Sequence, residues 1–189
     1  MIKIKIIAGS TRPGRFNTQP TKWLAQIAKS RGDMEVEVLD LAMINLPMLD
    51  EAKPAMMKDY EHEHTKKWSA MIDEADGFVI VTPEYNHSVP GALKNAIDFL
   101  NQEWAYKPVG FVSYGSQAGG SRAVEHLRGI AGELKMFDIR DQVMFPSYWE
   151  NLNDKGEYQF NERHTGTATA MLDVLAHWAK VMKVGREQK

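Results

Sequence analysis

Residues 77–100 read GFVIVTPEYNHSVPGALKNAIDFL, and the order of chemical types within this stretch decides the fold. The apolar run at 77–81 is short and bounded by turn residues, which predicts a buried strand over 77–82. Pro83 and Pro90 stiffen the loop that follows, and Glu84, Tyr85 and Asn86 set a carboxylate, a phenol and an amide between them. After Gly91 the residues Ala92, Leu93, Ala96, Ile97 and Leu100 recur at helical spacing. Open α/β sheets hold their ligands where a strand empties into such a loop, beyond its carboxyl end.

The same strand, loop and helix sequence repeats on either side. Ile2, Ile4, Ile6, Ile7 and Ala8 form an apolar run that stops at Gly9, and a helix begins near Asn17 with Trp23, Leu24, Ile27 and Ala28 on one side. Val36, Val38 and Leu39 predict a second strand, followed by an irregular section over 40–54 and a helix over about 55–75. A fourth strand is expected over 108–114, with a helix from about 120 to 134, and a fifth, short strand over 143–145. Residues 146–161 read as an irregular excursion and 164–184 as a closing helix. Strands alternating with helices in this way predict an α/β domain with a parallel sheet covered on both faces. At 189 residues with 43% hydrophobic content, the chain is expected to form one domain over 1–189, without internal repeats.

Three loops follow the first, third and fourth strands. The first, over 9–18, offers Ser10, Thr11, Arg12, Arg15, Asn17 and Thr18 at the start of a helix. A phosphate there would gain from the helix dipole and from charge-assisted bonds to an arginine. An ordinary helix start with exposed arginines gives the same local pattern. No lysine followed by Ser or Thr closes the loop, and Gly9 and Gly14 lack G-x-G-x-x-G spacing, so the two best-known nucleotide loops are excluded. The third loop, over 113–121, combines Ser113, Tyr114, Gly115 and Ser116 with small residues that permit close approach of a flat ligand. In a sheet of order 2-1-3-4-5 these strands are neighbours. A phosphate on the first loop then leaves its attached ring near the other two.

Composition removes several classes. A formal net charge of −2 favours neither nucleic acid nor an anionic membrane as partner, and the absence of cysteine excludes disulfides, thiolate metal sites and a cysteine nucleophile. The N-terminus carries no signal-peptide pattern, and no run approaches the roughly 20 apolar residues of a membrane span, so a soluble cytoplasmic protein is expected. His62 and His64 lie in a charged helical stretch and read as a solvated face rather than a metal site. Ser10, Ser113 and Ser116 lack the G-x-S-x-G setting of a hydrolase nucleophile. Trp23, Trp68, Met71 and Trp178 have core-facing spacing, while Trp104, Tyr106 and residues 146–149 are candidates for exposed contacts.

Three segments together resemble the NAD(P)H-dependent FMN reductases of flavodoxin-like fold, which include quinone, chromate and azo-dye reductases. They are Gly9-Ser10-Thr11-Arg12 with Asn17, Pro83-Glu84-Tyr85-Asn86 followed by Pro90-Gly91 and Leu93-Lys94-Asn95-Ala96, and Gly119-Gly120 with Arg122-Ala123. The resemblance implies a three-layer flavodoxin-like sandwich around a five-stranded parallel sheet in the order 2-1-3-4-5. It implies bound FMN, with phosphate on Ser10, Arg12, Asn17 and Thr18 and with Arg15 as a further candidate. The isoalloxazine would lie between Pro83, Glu84, Tyr85 and Asn86 on one side and Ser113, Tyr114, Gly115 and Ser116 on the other. The flavin would carry the chemistry, with no catalytic side chain, backbone N–H groups near Tyr85 and Asn86 tuning the ring at N5 and His87 facing the second substrate. NADPH or NADH would donate hydride and a quinone, free flavin or similar small molecule would accept electrons, in a homodimer or homotetramer. Two other readings use the same loops: a non-enzymatic flavodoxin-type carrier or regulatory module, and a mononucleotide-dependent hydrolase or transferase.

Overall fold

The computed structural model describes residues 1–188. Five strands form one sheet in the order β2-β1-β3-β4-β5, every neighbouring pair parallel. The strands are β1 (Ile2–Ala8), β2 (Met34–Asp40), β3 (Gly77–Pro83), β4 (Pro108–Tyr114) and β5 (Phe137–Phe145). The helices are α1 (Thr18–Ser30), α2 (Leu41–Ile44), α3 (Glu63–Asp73), α4 (Gly91–Asp98), α5 (Ser121–Glu133) and α6 (Glu162–Glu187).

The two-residue period of the strands divides the core into two layers. Ile4, Ile6, Val79, Val81 and Val112 face Leu24 and Ala28 of α1 and Met171, Leu172 and Leu175 of α6. Ile7, Phe78, Ile80 and Phe111 face Trp68 and Ile72 of α3, Leu93 and Ile97 of α4, and Leu127 of α5. Every residue of the central strands β3 and β4 is buried, as expected of parallel strands covered on both faces. The result is the flavodoxin-like three-layer arrangement.

Two segments depart from the sequence-based expectation. The helix expected over 55–75 is a single 3-10 turn, Ala55–Met57, and then α3 from Glu63. Lys58 takes the left-handed conformation and ends the turn, while the Glu51 carboxylate accepts the N–H groups of Glu61 and His62 and holds the chain off helical geometry. The fifth strand starts six residues earlier than its apolar stretch. Its first half contains Asp138, Arg140, Asp141 and Gln142, whose polarity hides a strand that has only one neighbour. Arg128 of α5 fastens it, donating to Asp138 Oδ2 at 2.8 Å and to the carbonyls of Ile139 and Arg140 at 2.9 and 3.2 Å.

Candidate functional site

At the carboxyl ends of β1, β3 and β4 the three loops meet. Gly9 sits where its N–H donates to the Val81 carbonyl at 2.8 Å, and a Cβ there would stand 2.9 Å from a Leu93 methyl. Asn17 Nδ2 donates to the same Val81 carbonyl at 2.9 Å, so the first loop is stitched to β3 at both ends. That bond uses one of the amide's two N–H groups, and the buried Oδ1 has no partner among the described residues. At the start of α1 the Gln19 N–H is bonded to the Phe16 carbonyl, the Thr21 N–H to the Asn17 carbonyl, and Pro20 has none, so the donor this end offers an anion is the Thr18 N–H, in a first turn without an acidic residue.

The two arginines of this loop have different fates. Arg15 Nη2 donates to Asp40 Oδ2 at 2.6 Å, and Asp40 Oδ1 accepts the Ala42 N–H at the start of α2. Arg15 thus ties the loop to the end of β2. The Arg12 guanidinium is exposed and has no ion pair among the described residues. Ser10 is fully buried, with Oγ 3.1 Å from the Tyr85 hydroxyl, which joins the first loop to the second.

The second loop is a tight hairpin. Tyr85 and Ser88 exchange backbone hydrogen bonds of 2.9 and 3.0 Å, and Asn86 and His87 at the tip have φ of 50° and 68°. The Tyr85 N–H is consequently spent within the hairpin, and Asn86 and His87 at its tip are exposed residues. Below the tip, the Glu84 side chain is 7% exposed and is clasped by Arg122: Oε2 accepts the Arg122 backbone N–H at 3.2 Å, and Oε1 accepts from Nε at 2.5 Å and from Nη2.

In the third loop, Ser113 Oγ donates to the Gly119 carbonyl at 2.8 Å, and the Ser116 carbonyl accepts from Gly119 and Ser147 at 2.9 and 3.1 Å. Tyr114 is buried beside Asn17 and Ser10, and burial pushes its hydroxyl well above the usual phenol range, so it stays a neutral donor.

Between the loops lies a cleft of about 330 Å³. Arg12, Arg15, Pro83, Glu84, Tyr85, Tyr114, Gly115 and Ser116 line it, as do Pro13, Gly14, Phe16, Tyr148 and Trp149. Ser10, Asn17 and Ser113 lie beneath it as buried supports, and Thr18, Asn86 and His87 are not among its walls. Tyr148 and Trp149 bring the excursion at 146–161 into the site, and their only trace in the sequence is an aromatic pair after Pro146. Trp104, expected among exposed contacts, is fully buried and donates its indole N–H to the Ile97 carbonyl at 3.2 Å. A larger hollow of about 570 Å³ between β2, α2 and α3 contains no residue of the three loops. His62 and His64 both approach Asp50, and no group of three or more His, Asp or Glu among the described residues is placed to hold a metal ion.

The cleft thus sets an exposed guanidinium, Arg12, and an aromatic and small-residue slot, 83–85 and 114–116, in one set of walls, donor types suited to a phosphate joined to a planar ring. On this fold the cleft lies at the switch between β1 and β3, where open α/β sheets bind their ligands. Residues 2–150 match the NADPH-dependent FMN reductase family. An NAD(P)H-dependent FMN reductase from a Nectria species is 46% identical over 152 residues, 77% of this chain and 76% of the relative. A quinone reductase of Escherichia coli K12 is 38% identical over 141 residues, 68% and 69% of the two chains. The flavoenzyme NAD(P)H:(acceptor) oxidoreductase FerB of Paracoccus denitrificans has the same fold, with a TM-score of 0.75 at 21% identity over 96% of this chain and 99% of that one. The chain belongs to the NADPH-dependent FMN reductase family. It is an enzyme with FMN as cofactor and NAD(P)H as hydride source, which sets aside the carrier and hydrolase readings.

Proposed function

We propose that the cleft at the ends of β1, β3 and β4 is where NAD(P)H is oxidised and a quinone, a free flavin or a similar small acceptor is reduced. The observation that carries this assignment is the contrast within one cleft between the unpaired Arg12 and the aromatic, glycine-bearing slot 83–85 and 114–116. Bound FMN supplies hydride acceptance from the nicotinamide and electron delivery to the acceptor.

The protein's own part is holding and tuning. Arg12 and the Thr18 N–H at the start of α1 bind the phosphate, with Ser10 buried behind them, and Arg15 keeps the loop in register through Asp40. Glu84 and Arg122 fix the second loop against the third. The Asn86 N–H, at the exposed hairpin tip just beyond the cleft walls, is the donor we assign to the ring edge, and His87 beside it is a contact for an incoming substrate. Asn17 supports the phosphate loop through Val81. A homo-oligomer in the cytoplasm is the setting we infer; no helix among the described residues is long and apolar enough to cross a membrane.

Purified protein is expected to be yellow with a two-banded flavin spectrum and to bleach anaerobically with NAD(P)H. A colourless protein that also fails to take up added FMN would overturn the assignment. Sedimentation velocity reads the oligomeric state, and a monomer at micromolar concentration would remove that part of it.

A further inference from the structure

The turn at 147–151 is built in an unusual way. Ser147 is not a glycine, yet it has φ 41° and ψ 44°, a left-handed conformation that costs an ordinary residue about 1 kcal/mol. Its N–H is bonded to the Ser116 carbonyl at 3.1 Å, and the far end of the excursion is tied to α1, where Gln19 bonds the Gly156 carbonyl at 2.8 Å and the Tyr158 N–H at 2.7 Å. These ties hold the next two side chains against the cleft.

Tyr148 is locked. Its ring stacks on Phe16 with centroids 4.2 Å apart at 19°, and meets Tyr114 edge-on at 5.4 Å and 84°. Trp149 is different. It packs edge-to-face on Tyr148 at 5.4 Å, lines the cleft, and remains 49% exposed with no hydrogen bond to its indole N–H among the described residues. The other tryptophans are buried or packed on the core. A large electron-rich ring on a rigid backing, one face open and a donor free, is suited to a planar electron-poor ring carrying acceptor oxygens. A quinone has that chemistry.

We propose that Trp149, aimed by Ser147 and backed by Tyr148, is a specificity-determining residue that stacks on planar quinone acceptors at the lip of the cleft. The proposal rests on the reading of this cleft as the place where the acceptor is reduced. Its strained turn is then explained: the left-handed Ser147 reverses the chain after β5 so that the aromatic pair meets the first loop.

The test uses FMN-loaded wild type, Trp149→Ala and Trp149→Phe. Oxidised enzyme is titrated with a 1,4-naphthoquinone without NAD(P)H, following the flavin absorbance. Separately, kcat/KM is measured for the same quinone and for ferricyanide, which has no planar ring to stack. Trp149→Ala is expected to weaken quinone binding about fivefold and to lower the quinone-to-ferricyanide ratio of kcat/KM by a similar factor, with Trp149→Phe recovering most of both. An unchanged quinone Kd overturns the proposal. So does an equal loss with both acceptors, a matching loss in the rate of bleaching by NAD(P)H, or a matching loss of FMN affinity. Wild type that binds no FMN overturns the reading of the cleft instead, which keeps the two failures apart.

Discussion

The two ends of the sheet differ in how completely they pair their polar groups. At the amino end nearly every charge is answered: Asp76 accepts the Lys3 N–H at 2.9 Å, Lys183 at 2.9 Å and Arg186 at 2.8 Å, and the buried Lys5 bridges Glu37 and Glu74. Lys107 donates to the Ile72 and Asp73 carbonyls at 2.8 Å each and so finishes the end of α3, although burial pulls its ammonium down to about 8. At the carboxyl end Arg15 is paired with Asp40 and Arg122 with Glu84, but among the described residues the Arg12 guanidinium has no partner and Asn17 Oδ1 and Arg15 Nε are buried without bonds. Buried polar groups left unpaired are costly and few in folded proteins. Two of the three such side-chain atoms among the described residues belong to the first loop beside the cleft, the third being Thr65 Oγ1 in α3.

Three substitutions press on this contrast. The largest effect is expected at the saturated end. Asp76→Ala strands two cations and an amide and should cost about 3 kcal/mol in urea unfolding, with FMN affinity per folded molecule unchanged. Next comes Arg12→Ala, which should weaken FMN about 30-fold, the worth of one charge-assisted contact, while leaving the melting temperature of flavin-free protein where it was. Arg15→Ala should do the reverse, lowering stability more than flavin affinity, because its partner is Asp40. If Arg15→Ala costs more flavin affinity than Arg12→Ala, the division of labour in the first loop is inverted.

At the hairpin tip, Asn86→Val should destabilise by about 1–2 kcal/mol because a β-branched residue resists positive φ, whereas Asn86→Gly keeps the conformation and the N–H. Melting curves distinguish them, and equal losses would mean that the tip does not hold its left-handed geometry in solution. Asn86→Pro is unsuitable as a probe of the donor alone, since φ of 50° lies far from what the proline ring allows.

The smallest effect is an acid one. Burial, with Arg163 adding to it, holds His164 below its ordinary 6.5. The unfolded chain therefore takes the proton first as pH falls through that value, and stability is lost below it. His164 Nδ1 accepts the Asn161 N–H in the capping box of α6, a role that glutamine also fills, so His164→Gln should flatten this loss. Urea midpoints at about pH 7.5 and about pH 5.5 measure the difference. An equal fall in both proteins assigns the acid sensitivity to another group.

The legible parts of the sequence were those in which one short window carries the whole physical signal. β3, its proline-bounded loop and α4 stand in a single run, and β1 and β4 have the same apolar continuity. The first half of β5 was illegible because an edge strand tolerates charge, and the start of α3 because a distant carboxylate, Glu51, sets it. Pairings between remote segments, Arg15 with Asp40 and Glu84 with Arg122, leave no local trace. They decide which of two adjacent arginines is free. Tyr148 and Trp149 lay in a segment without a motif, where aromatics equally suggest a core or an interface.

Helix α5 does not own its beginning. Gly120 must be glycine, since a Cβ there would stand 2.7 Å from Ser113 Cβ, and a glycine has no side chain with which to cap the helix. The carboxylate that accepts the Arg122 N–H comes instead from Glu84, thirty-eight residues earlier and across a strand boundary. The first turn of α5 is therefore completed only after β3 and β4 have paired, and it frays if the second loop lifts away.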